Sequence, residues 1–549
     1  MKGDAPPRTR EALARSLGLP RPGSPEFRRE RQRAIEDAER RARTAGLAGG
    51  VRYETVFDIL ASFPRETRSR FIDRRAQLAT LTSAWDSQQP ALILAYGRRR
   101  VGKSALLGRF VSPRRIGYFV AARQLKRNQL DDLGSVLGRI SAGFRPGRPP
   151  RVALTDWDDA LQLLADASTR HRVGLVLDEF PYLVDADPAL PSLIQRWWDR
   201  VGSRSNVMLV LAGSHQSMMR NLVAYDGALH GRPTATIELQ PLDYFQAARF
   251  VPDWSPEDRI RAYAIAGGVP AYLELLDDQQ PFRDELLRLA YRADGRLFIE
   301  APSLLQTEFS EPRTYESILR SIAAGETQPS RISQRAGLSG ANVVGPYLDR
   351  LIALGLVERR TLPPEHGDVR PRTSQYVIAD QYLRFYFALV DPYRSDIQLG
   401  NGEGVLDHLW PDRFDEHVSR TFEDVARQYL WLEPRDGRAP VTHVGPWWLP
   451  AADIDAVAMS RGTLLAAGEA RWSRAYVKPA DLDELRRNVG QASPGARPRL
   501  LLFSRSGFDD NLRGQPDAEL VSLRDLFRPA LDADKRATTG RPEPGRNVA

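Results

Sequence analysis

No cysteine occurs in the 549-residue sequence, which excludes disulfide bonds, thiolate zinc sites and cysteine nucleophiles. No apolar run approaches the roughly 18 residues that are needed to cross a bilayer, so no membrane partner is expected. The opening stretch MKGDAPPRTREALARSLGLPRPG lacks the continuous apolar segment of a secretory signal. A cytoplasmic location fits these absences.

Acidic residues are fewer than basic ones: 70 Asp and Glu stand against 78 Lys and Arg, which gives a net charge of +8. Most of the excess lies in residues 1–50, which hold twelve basic and seven acidic side chains. Such a segment is either a solvated, partly helical Arg-rich extension, which we favour, or a basic arm that docks on phosphates without sequence preference. The net charge therefore does not by itself indicate a folded nucleic-acid-binding domain.

Short apolar runs alternate with helical stretches from about residue 52: ALILAYG, IGYFVA, VGLVLDEF and NVMLVLAGS. Each run is continuously apolar, as are strands buried on both faces of a parallel sheet. The alternation predicts an α/β domain with a parallel sheet. After the basic extension and this domain, the patterns predict a helical segment, a compact α+β region, a second α/β region and a disordered tail. The predicted boundaries are 1–50, 52–240, 241–310, 314–395, 412–530 and 531–549.

The first apolar run leads into GRRRVGKS, which matches the P-loop pattern G-x-x-x-x-G-K-[ST]. The glycines let the backbone curl so that successive N–H groups point at phosphates. Lys103 would reach the β- and γ-phosphates, and the Ser104 hydroxyl would bind Mg²⁺. A strand before and a helix after, whose amino terminus favours an anion, argue against a basic loop that merely contains two glycines. We assign nucleotide binding to Gly97, Arg98, Gly102, Lys103, Ser104 and Ala105.

A second strand pattern, VGLVLDEFPYLV, ends in Asp178 and Glu179. Adjacent carboxylates at the tip of a buried strand need a reason, because burying charge is costly. In a P-loop enzyme Asp178 would hold the Mg²⁺ shell, and Glu179 would polarise the attacking water. A helix cap or a surface pair is the alternative, and the P-loop upstream favours the catalytic interpretation.

Two further polar residues lie at strand patterns: Ser214 ends one pattern, and Arg232 precedes another. Ser214 ends the run NVMLVLAGS, where it either senses the γ-phosphate or caps the next helix. Arg232, in ALHGRPTATIELQPL, would act as an arginine finger within the chain or from a neighbouring subunit. A structural loop arginine is the alternative, which the sequence leaves open.

These residues together resemble the archaeal-type AAA-like ATPases, which belong with the signal-transduction ATPases of the STAND type. The resemblance rests on the order FIDRRAQLATL, GRRRVGKS, LVLDEFPYL, LAGS, HGR and AGGVPAYL. It spans about 65–395 and continues more weakly to about residue 530. The resemblance implies that the Gly-Val-Pro segment ending at Pro270 lies next to the nucleotide. The chain departs from the family, which tends to have Gly and Glu, at Asp73 and Ala76.

Helix, helix, helix and wing patterns follow in the order of a winged helix. TYESILRSIAAG and QPSRISQRAGLS predict the first two helices, and GANVVGPYLDRLIALGLVERR contains the third. We expect the third helix to begin near Pro346, because proline is tolerated at the first helical position. Such a domain either contacts DNA or only packs against the nucleotide domain.

The last region corresponds, in the resemblance, to a restriction-endonuclease-like domain. It contributes Glu423 from a helix, and Asp453, Asp455 and Glu469 from two strand patterns. Asp455 and Glu469 would form a hard oxygen site for Mg²⁺ that orients water against a phosphodiester. The PD-(D/E)xK pattern has a lysine where this chain has Arg471, and arginine cannot serve as a general base. The domain therefore either cleaves DNA or is a nuclease-derived binding module.

Two functions follow from these assignments, both with ATP and Mg²⁺ as ligands. In the first, the chain is an ATPase that acts as a nucleotide switch coupled to DNA binding or processing. In the second, it is a poorly hydrolytic STAND-type signalling protein whose nuclease-like domain only binds. The two carboxylates at Asp178 and Glu179 favour the first. The sequence leaves open whether a second copy of the chain or another protein is a partner.

Overall fold

The structure is a computed structural model that describes residues 71–112, 114–144, 150–362, 374–433, 440–449 and 452–528. The extension predicted at residues 1–50 and the tail predicted at 531–549 lie outside the described residues. None of the helices in the described part of the chain combines the length and the apolar composition that crossing a bilayer requires.

Five parallel strands form the first sheet, in the spatial order β2-β3-β4-β1-β5. Its three central strands, β3, β4 and β1, are buried along their whole length, as their continuous apolar sequence predicts. The α/β class and the parallel sheet are thus confirmed. The strands are β1 (Ala91–Tyr96), β2 (Ile116–Val120), β3 (Val173–Asp178), β4 (Val207–Gly213) and β5 (Ala235–Glu238).

Helices connect these strands and cover both faces of the sheet, where each face has a hydrophobic cluster of its own. The fourth helix begins where the Asp156 carboxylate accepts a hydrogen bond from Asp159 N, a capping contact that satisfies a free N–H of the first turn. The helices are α1 (Arg75–Asp86), α2 (Lys103–Val111), α3 (Lys126–Ser141), α4 (Trp157–Ser168), α5 (Phe180–Ala186), α6 (Leu190–Arg200) and α7 (Gln216–Asn221).

A helical region follows the first sheet. Its chain passes close to itself at Gly268, whose carbonyl accepts a hydrogen bond from Leu242 N at 2.7 Å. A Cβ atom on Gly268 would lie 1.7 Å from Leu242 O, so this crossing requires glycine. The helices are α8 (Tyr244–Ala247), α9 (Pro256–Ala266), α10 (Pro270–Leu273), α11 (Phe282–Ala290) and α12 (Arg296–Glu308).

Three helices and an antiparallel pair of strands come next, in the order on which the winged-helix prediction rests. The expectation that the third helix begins near Pro346 is wrong, because the helix begins five residues earlier, at Ala341. A proline inside a helix removes one backbone hydrogen bond. Burial of Val344, Leu348 and Leu351 offsets that loss. The elements are α13 (Pro312–Ala323), α14 (Pro329–Arg335), α15 (Ala341–Ala353), β6 (Val357–Arg360) and β7 (Gln375–Ile378).

The last part of the chain packs a long helix, α19, against a mixed five-stranded sheet. Its order is β12-β11-β10-β9-β8, with β8, β9 and β10 antiparallel and β10, β11 and β12 parallel. The elements are α16 (Gln381–Phe385), α17 (Arg394–Gln398), α18 (Gly402–Leu409), α19 (Asp412–Leu432), β8 (His443–Leu449), β9 (Ala452–Ser460), β10 (Thr463–Arg471), α20 (Pro479–Ala492), β11 (Arg499–Ser504), β12 (Ala518–Ser522) and α21 (Leu523–Leu526).

One large hydrophobic cluster runs through the second half of the chain, from Leu242 to Leu526. It joins the helical region, the three-helix region and one face of the second sheet. Ion pairs add to this contact: Arg505 lies 2.7 Å from both Glu257 and Asp415. The helical region, the three-helix region and one face of the second sheet therefore share a core, while the other face of that sheet packs in a cluster of its own.

Replacing Gly268 by alanine tests the close crossing at Leu242. We expect Gly268→Ala to destabilise the protein by about 1–3 kcal/mol, because the added methyl group overlaps backbone atoms that cannot rotate away. Gly490→Ala is the matched control, since nothing lies within 4 Å of a Cβ atom at that helical position. Thermal unfolding of both variants checks this, and equal unfolding temperatures would contradict it.

Candidate functional site

The topology of the first sheet brings the predicted nucleotide residues to one edge. The P-loop follows β1, the two carboxylates follow β3, and Ser214 follows β4. These three strands are parallel neighbours in the order β3-β4-β1, so their carboxyl ends meet. Ligands of open α/β sheets bind at this edge.

The P-loop backbone is shaped by its two glycines. A Cβ atom on Gly97 would lie 2.4 Å from Leu239 O, and Gly102 has a φ of 93°, a conformation that side chains with a Cβ rarely adopt. Lys103 Nζ donates to Gly97 O at 2.8 Å and to Arg98 O at 3.1 Å. Burial lowers the pKa of Lys103, whereas the charges of Glu179 and Asp178 oppose that shift. The lysine is thus held at the loop, facing both carboxylates.

Asp178 is buried and fully hydrogen-bonded at the tip of β3. Its Oδ2 accepts from Ser104 Oγ at 2.8 Å and from Tyr118 OH at 2.6 Å, and its Oδ1 accepts from Glu179 N at 3.0 Å. A hydroxyl and a carboxylate side by side are ligands that suit Mg²⁺, so this pair fits the ion that the sequence predicts. Sequence reasoning missed Tyr118, although a tyrosine within the apolar run IGYFVA on the neighbouring strand could have signalled it.

Glu179 adopts a left-handed backbone conformation, with a φ of 54°, which is uncommon for a residue with a side chain. Its Oε2 accepts a hydrogen bond from Ser214 Oγ at 2.8 Å. No side-chain cap is found at the amino terminus of α7, so Ser214 contacts the carboxylate and does not cap that helix. The serine is therefore in direct contact with the residue that is predicted to polarise the attacking water.

Three other predicted nucleotide residues lie around the loop. Pro270 Cγ lies 3.8 Å from the position of a Cβ atom on Gly102, so the Gly-Val-Pro segment borders the P-loop. Arg98 forms an ion pair with Asp380. Ala105 is half-buried in the first turn of α2.

Arg232 does not reach this edge of the sheet within the chain. It precedes β5, which runs parallel to β1, so it lies at the amino-terminal edge while the P-loop lies at the carboxyl edge. Its Nε and Nη2 donate to the Asp199 carboxylate, both at 2.8 Å. The expected arginine finger within the chain is therefore wrong, because strand direction puts Arg232 on the far side of the sheet. A role across a subunit boundary stays a prediction.

The carboxylates of the last region come together on α19, β9 and β10. Burial, and next to it the charge of Asp455, raises the pKa of Glu423 to about 7 and that of Glu469 to about 8. The Asp455 carboxylate also accepts a hydrogen bond from Ala470 N at 2.8 Å. Asp453, two residues earlier on β9, is exposed. The charge of Asp455 thus acts on both glutamates.

Arg471 supplies a positive charge to this carboxylate cluster. Its Nη1 lies 3.0 Å from Glu469 Oε1, and its other nitrogens lie 3.3 Å from Asp481 and 3.2 Å from Glu484. Within the described ranges, no group of three or more His, Cys, Asp or Glu side chains is arranged to hold a metal ion. The predicted Mg²⁺ site at Asp455 and Glu469 therefore lacks a third ligand of these types, and a guanidinium already neutralises one of its two carboxylates.

Comparison with known protein families agrees with the geometry of the first sheet. Residues 71–276 match the model of an ATPase domain predominantly from Archaea. The chain carries a P-loop ATPase domain. The match of residues 71–276 to this model supports nucleotide binding by the domain. A second model, of archaeal and bacterial proteins of unknown function, matches residues 386–483, so the restriction-endonuclease-like domain stays a prediction.

Individual relatives match different lengths of the chain. An uncharacterized protein of Methanocaldococcus jannaschii is 29% identical over 429 residues, which cover 77% of this chain and 92% of that protein. An uncharacterized ATP-binding protein of the same organism is 39% identical over 46 residues, which cover 8% of this chain and 78% of that protein. A solved Walker-type ATPase of Pyrococcus abyssi has a TM-score of 0.45 and 19% identity, and covers 59% of this chain and 98% of its own.

The contact between Ser104 and Asp178 generates a prediction for ATP binding. We expect wild-type affinity for ATP to fall by about tenfold or more when EDTA removes Mg²⁺, and Asp178→Asn to remove that difference, since one charged ligand is gone. Titration with a fluorescent ATP derivative measures both. Asp131→Asn, at an exposed position on α3, should behave as the wild type; an unchanged Mg²⁺ effect in Asp178→Asn would contradict the assignment.

Proposed function

We propose that this ATPase domain hydrolyses ATP with Mg²⁺ and that its nucleotide state controls how the second half of the chain binds DNA. The observation that carries the proposal is the pair of carboxylates at the tip of β3. Asp178 accepts a hydrogen bond from the hydroxyl of the P-loop serine at 2.8 Å, and Glu179 accepts one from the Ser214 hydroxyl at 2.8 Å. A protein that only senses nucleotide has little need of the second carboxylate.

Each residue of the site has a chemical role in this proposal. Lys103 and the P-loop N–H groups bind the phosphates. Ser104 and Asp178 would hold Mg²⁺, which neutralises phosphate charge when bound. Glu179 accepts a hydrogen bond from the attacking water and orients it, and Ser214 holds the Glu179 carboxylate in position.

Hydrolysis is tested with Glu179→Gln, which keeps the hydrogen bond with Ser214 but removes the negative charge. We expect kcat to fall by about 10²–10⁴-fold, the usual contribution of a general base, with ATP affinity little changed. Steady-state turnover and equilibrium binding measure the two effects. Glu403→Gln, at an exposed position on α18, is the control. Unchanged turnover in Glu179→Gln would favour the poorly hydrolytic signalling protein.

For the last region we propose DNA binding without cleavage. Arg471 supports this, since it pairs with Glu469 and stays protonated at any physiological pH. An arginine cannot take a proton from water, but it can bind a phosphate. Cleavage is a second candidate, supported by the charge interaction of Asp455 with Glu423 and Glu469.

Supercoiled plasmid distinguishes the two candidates. We expect the wild type to retard plasmid in a salt-dependent manner and to leave it uncut with Mg²⁺, both with and without ATP. Arg471→Ala should weaken retardation, because one phosphate-binding charge is lost. Nicking by the wild type that the double variant Asp455→Ala, Glu469→Ala abolishes would contradict binding alone and establish a nuclease.

A further inference from the structure

Three consecutive arginines of the P-loop each pair with a carboxylate from the second half of the chain. Arg98 binds Asp380, which precedes α16, whereas Arg99 and Arg100 bind Glu308 and Glu300 of α12. We call Arg98, Arg99 and Arg100 the arginine triplet. The ATPase sheet and the second half have separate hydrophobic clusters. These ion pairs connect the P-loop to the second half, so a nucleotide bound at the loop could change the contacts of the second half.

The middle pair is tied to the catalytic edge. Arg99 Nε lies 2.8 Å from Glu308 Oε1, and Arg99 Nη2 donates to Tyr182 OH at 2.7 Å. Tyr182 lies in the turn after Glu179, to whose carbonyl its N–H donates at 2.9 Å. The Arg99 guanidinium therefore contacts both α5, the helix that directly follows Glu179, and α12.

The Glu308 carboxylate lies among the charges that would surround a γ-phosphate. Burial raises the pKa of Glu308, and the positive charges of Arg99, Arg350 and Lys103 oppose the rise, while Glu179 adds to it. The charge of Glu308 in turn raises the pKa of Lys103. A carboxylate that pairs with Arg99 and also interacts with the charge of the P-loop lysine occupies surroundings that suit a phosphate oxygen.

The neighbouring pair of Arg100 and Glu300 has different surroundings. Burial raises the pKa of Glu300, against the charge of Arg100 and a hydrogen bond from Tyr272 OH. Arg100 also stacks at 5.8 Å over the ring of Tyr272. This pair joins the same loop to the same helix, and Arg100 contacts Glu300 and Tyr272 where Arg99 contacts Glu308 and Tyr182, so it provides a matched control.

We infer that Arg99 is a ligand of the ATP γ-phosphate, and that the Glu308 carboxylate takes the place of that phosphate on Arg99 when ATP is absent. The inference rests on the proposed ATP site. It supplies, within the chain, the arginine that Arg232 cannot provide from the other edge of the sheet. ATP displaces Glu308 from Arg99, whereas ADP has no γ-phosphate and leaves the pair intact. The end of α12 is therefore released by ATP only.

Equilibrium binding of two nucleotides tests the inference without relying on turnover. With Mg²⁺, the β,γ-imido analogue of ATP and ADP are titrated calorimetrically into the full chain. Arg99→Ala should weaken the analogue by about tenfold or more and ADP by less than about twofold. Glu308→Gln should strengthen the analogue severalfold and leave ADP unchanged, because the competing charge is gone.

Arg100→Ala and Glu300→Gln are the controls, and each should change the affinities for both nucleotides by the same factor or not at all. Arg99→Lys should recover part of the affinity for the analogue, which a folding defect in Arg99→Ala would not allow, and thermal unfolding of each variant checks folding. Equal weakening of both nucleotides by Arg99→Ala, or unchanged analogue binding in Glu308→Gln, would overturn the inference. Failure of the wild type to bind either nucleotide would instead overturn the proposed ATP site.

Discussion

Guanidinium–carboxylate pairs at the P-loop join the ATPase sheet to everything that follows it. The sheet has its own apolar cluster on each face, and the second half of the chain has one continuous cluster from Leu242 to Leu526. Charged contacts lie at the boundary between the two parts, and Asp380 there is almost fully buried. Removing one partner of such a partly buried ion pair lowers the stability of the protein much more than removing one partner of an exposed pair does. A phosphate that competes for one of these arginines therefore acts on the boundary directly.

A second contact links the three-helix region to the same edge of the sheet. Arg350 of α15 lies 2.6 Å from His215 Nε2 and donates to Ser217 Oγ at 2.8 Å. Burial, and then the charge of Arg350, lowers the pKa of His215, so the imidazole is held neutral beside Ser214. Ser214, which contacts Glu179, is thus followed in the sequence by a residue that contacts α15. In the proposed switch, the nucleotide affects two helices: α12 through the contact of Arg99 with Glu308, and α15 through the contact of His215 with Arg350.

Much of the nucleotide site could be predicted from the sequence, because the P-loop spacing and the ends of the apolar strands determine which residues lie there. A buried parallel strand ends at a defined residue, and polar side chains directly after β1, β3 and β4 must meet at one edge. The same rule applies to β5: because Arg232 precedes this parallel strand, it lies at the opposite edge of the sheet. Glu300, Glu308 and Asp380 could not be predicted, since each contacts the site through tertiary packing that no sequence spacing reveals, whereas Tyr118 on β2 lies next to β3 and was within reach of the same strand argument. The start of α15 could not be predicted from Pro346, because burial of Val344, Leu348 and Leu351 stabilises the turns around the proline.

Hydrogen–deuterium exchange of α12 tests the central claim, that the nucleotide acts on the second half of the chain through the arginine triplet. Exchange is measured for the peptide covering residues 296–308 in the full chain with Mg²⁺ and either ADP or the β,γ-imido analogue of ATP. The account predicts faster amide exchange at the end of α12 near Glu308 with the analogue than with ADP, and no such difference in Arg99→Ala. Equal exchange of this peptide in the two wild-type complexes would contradict it.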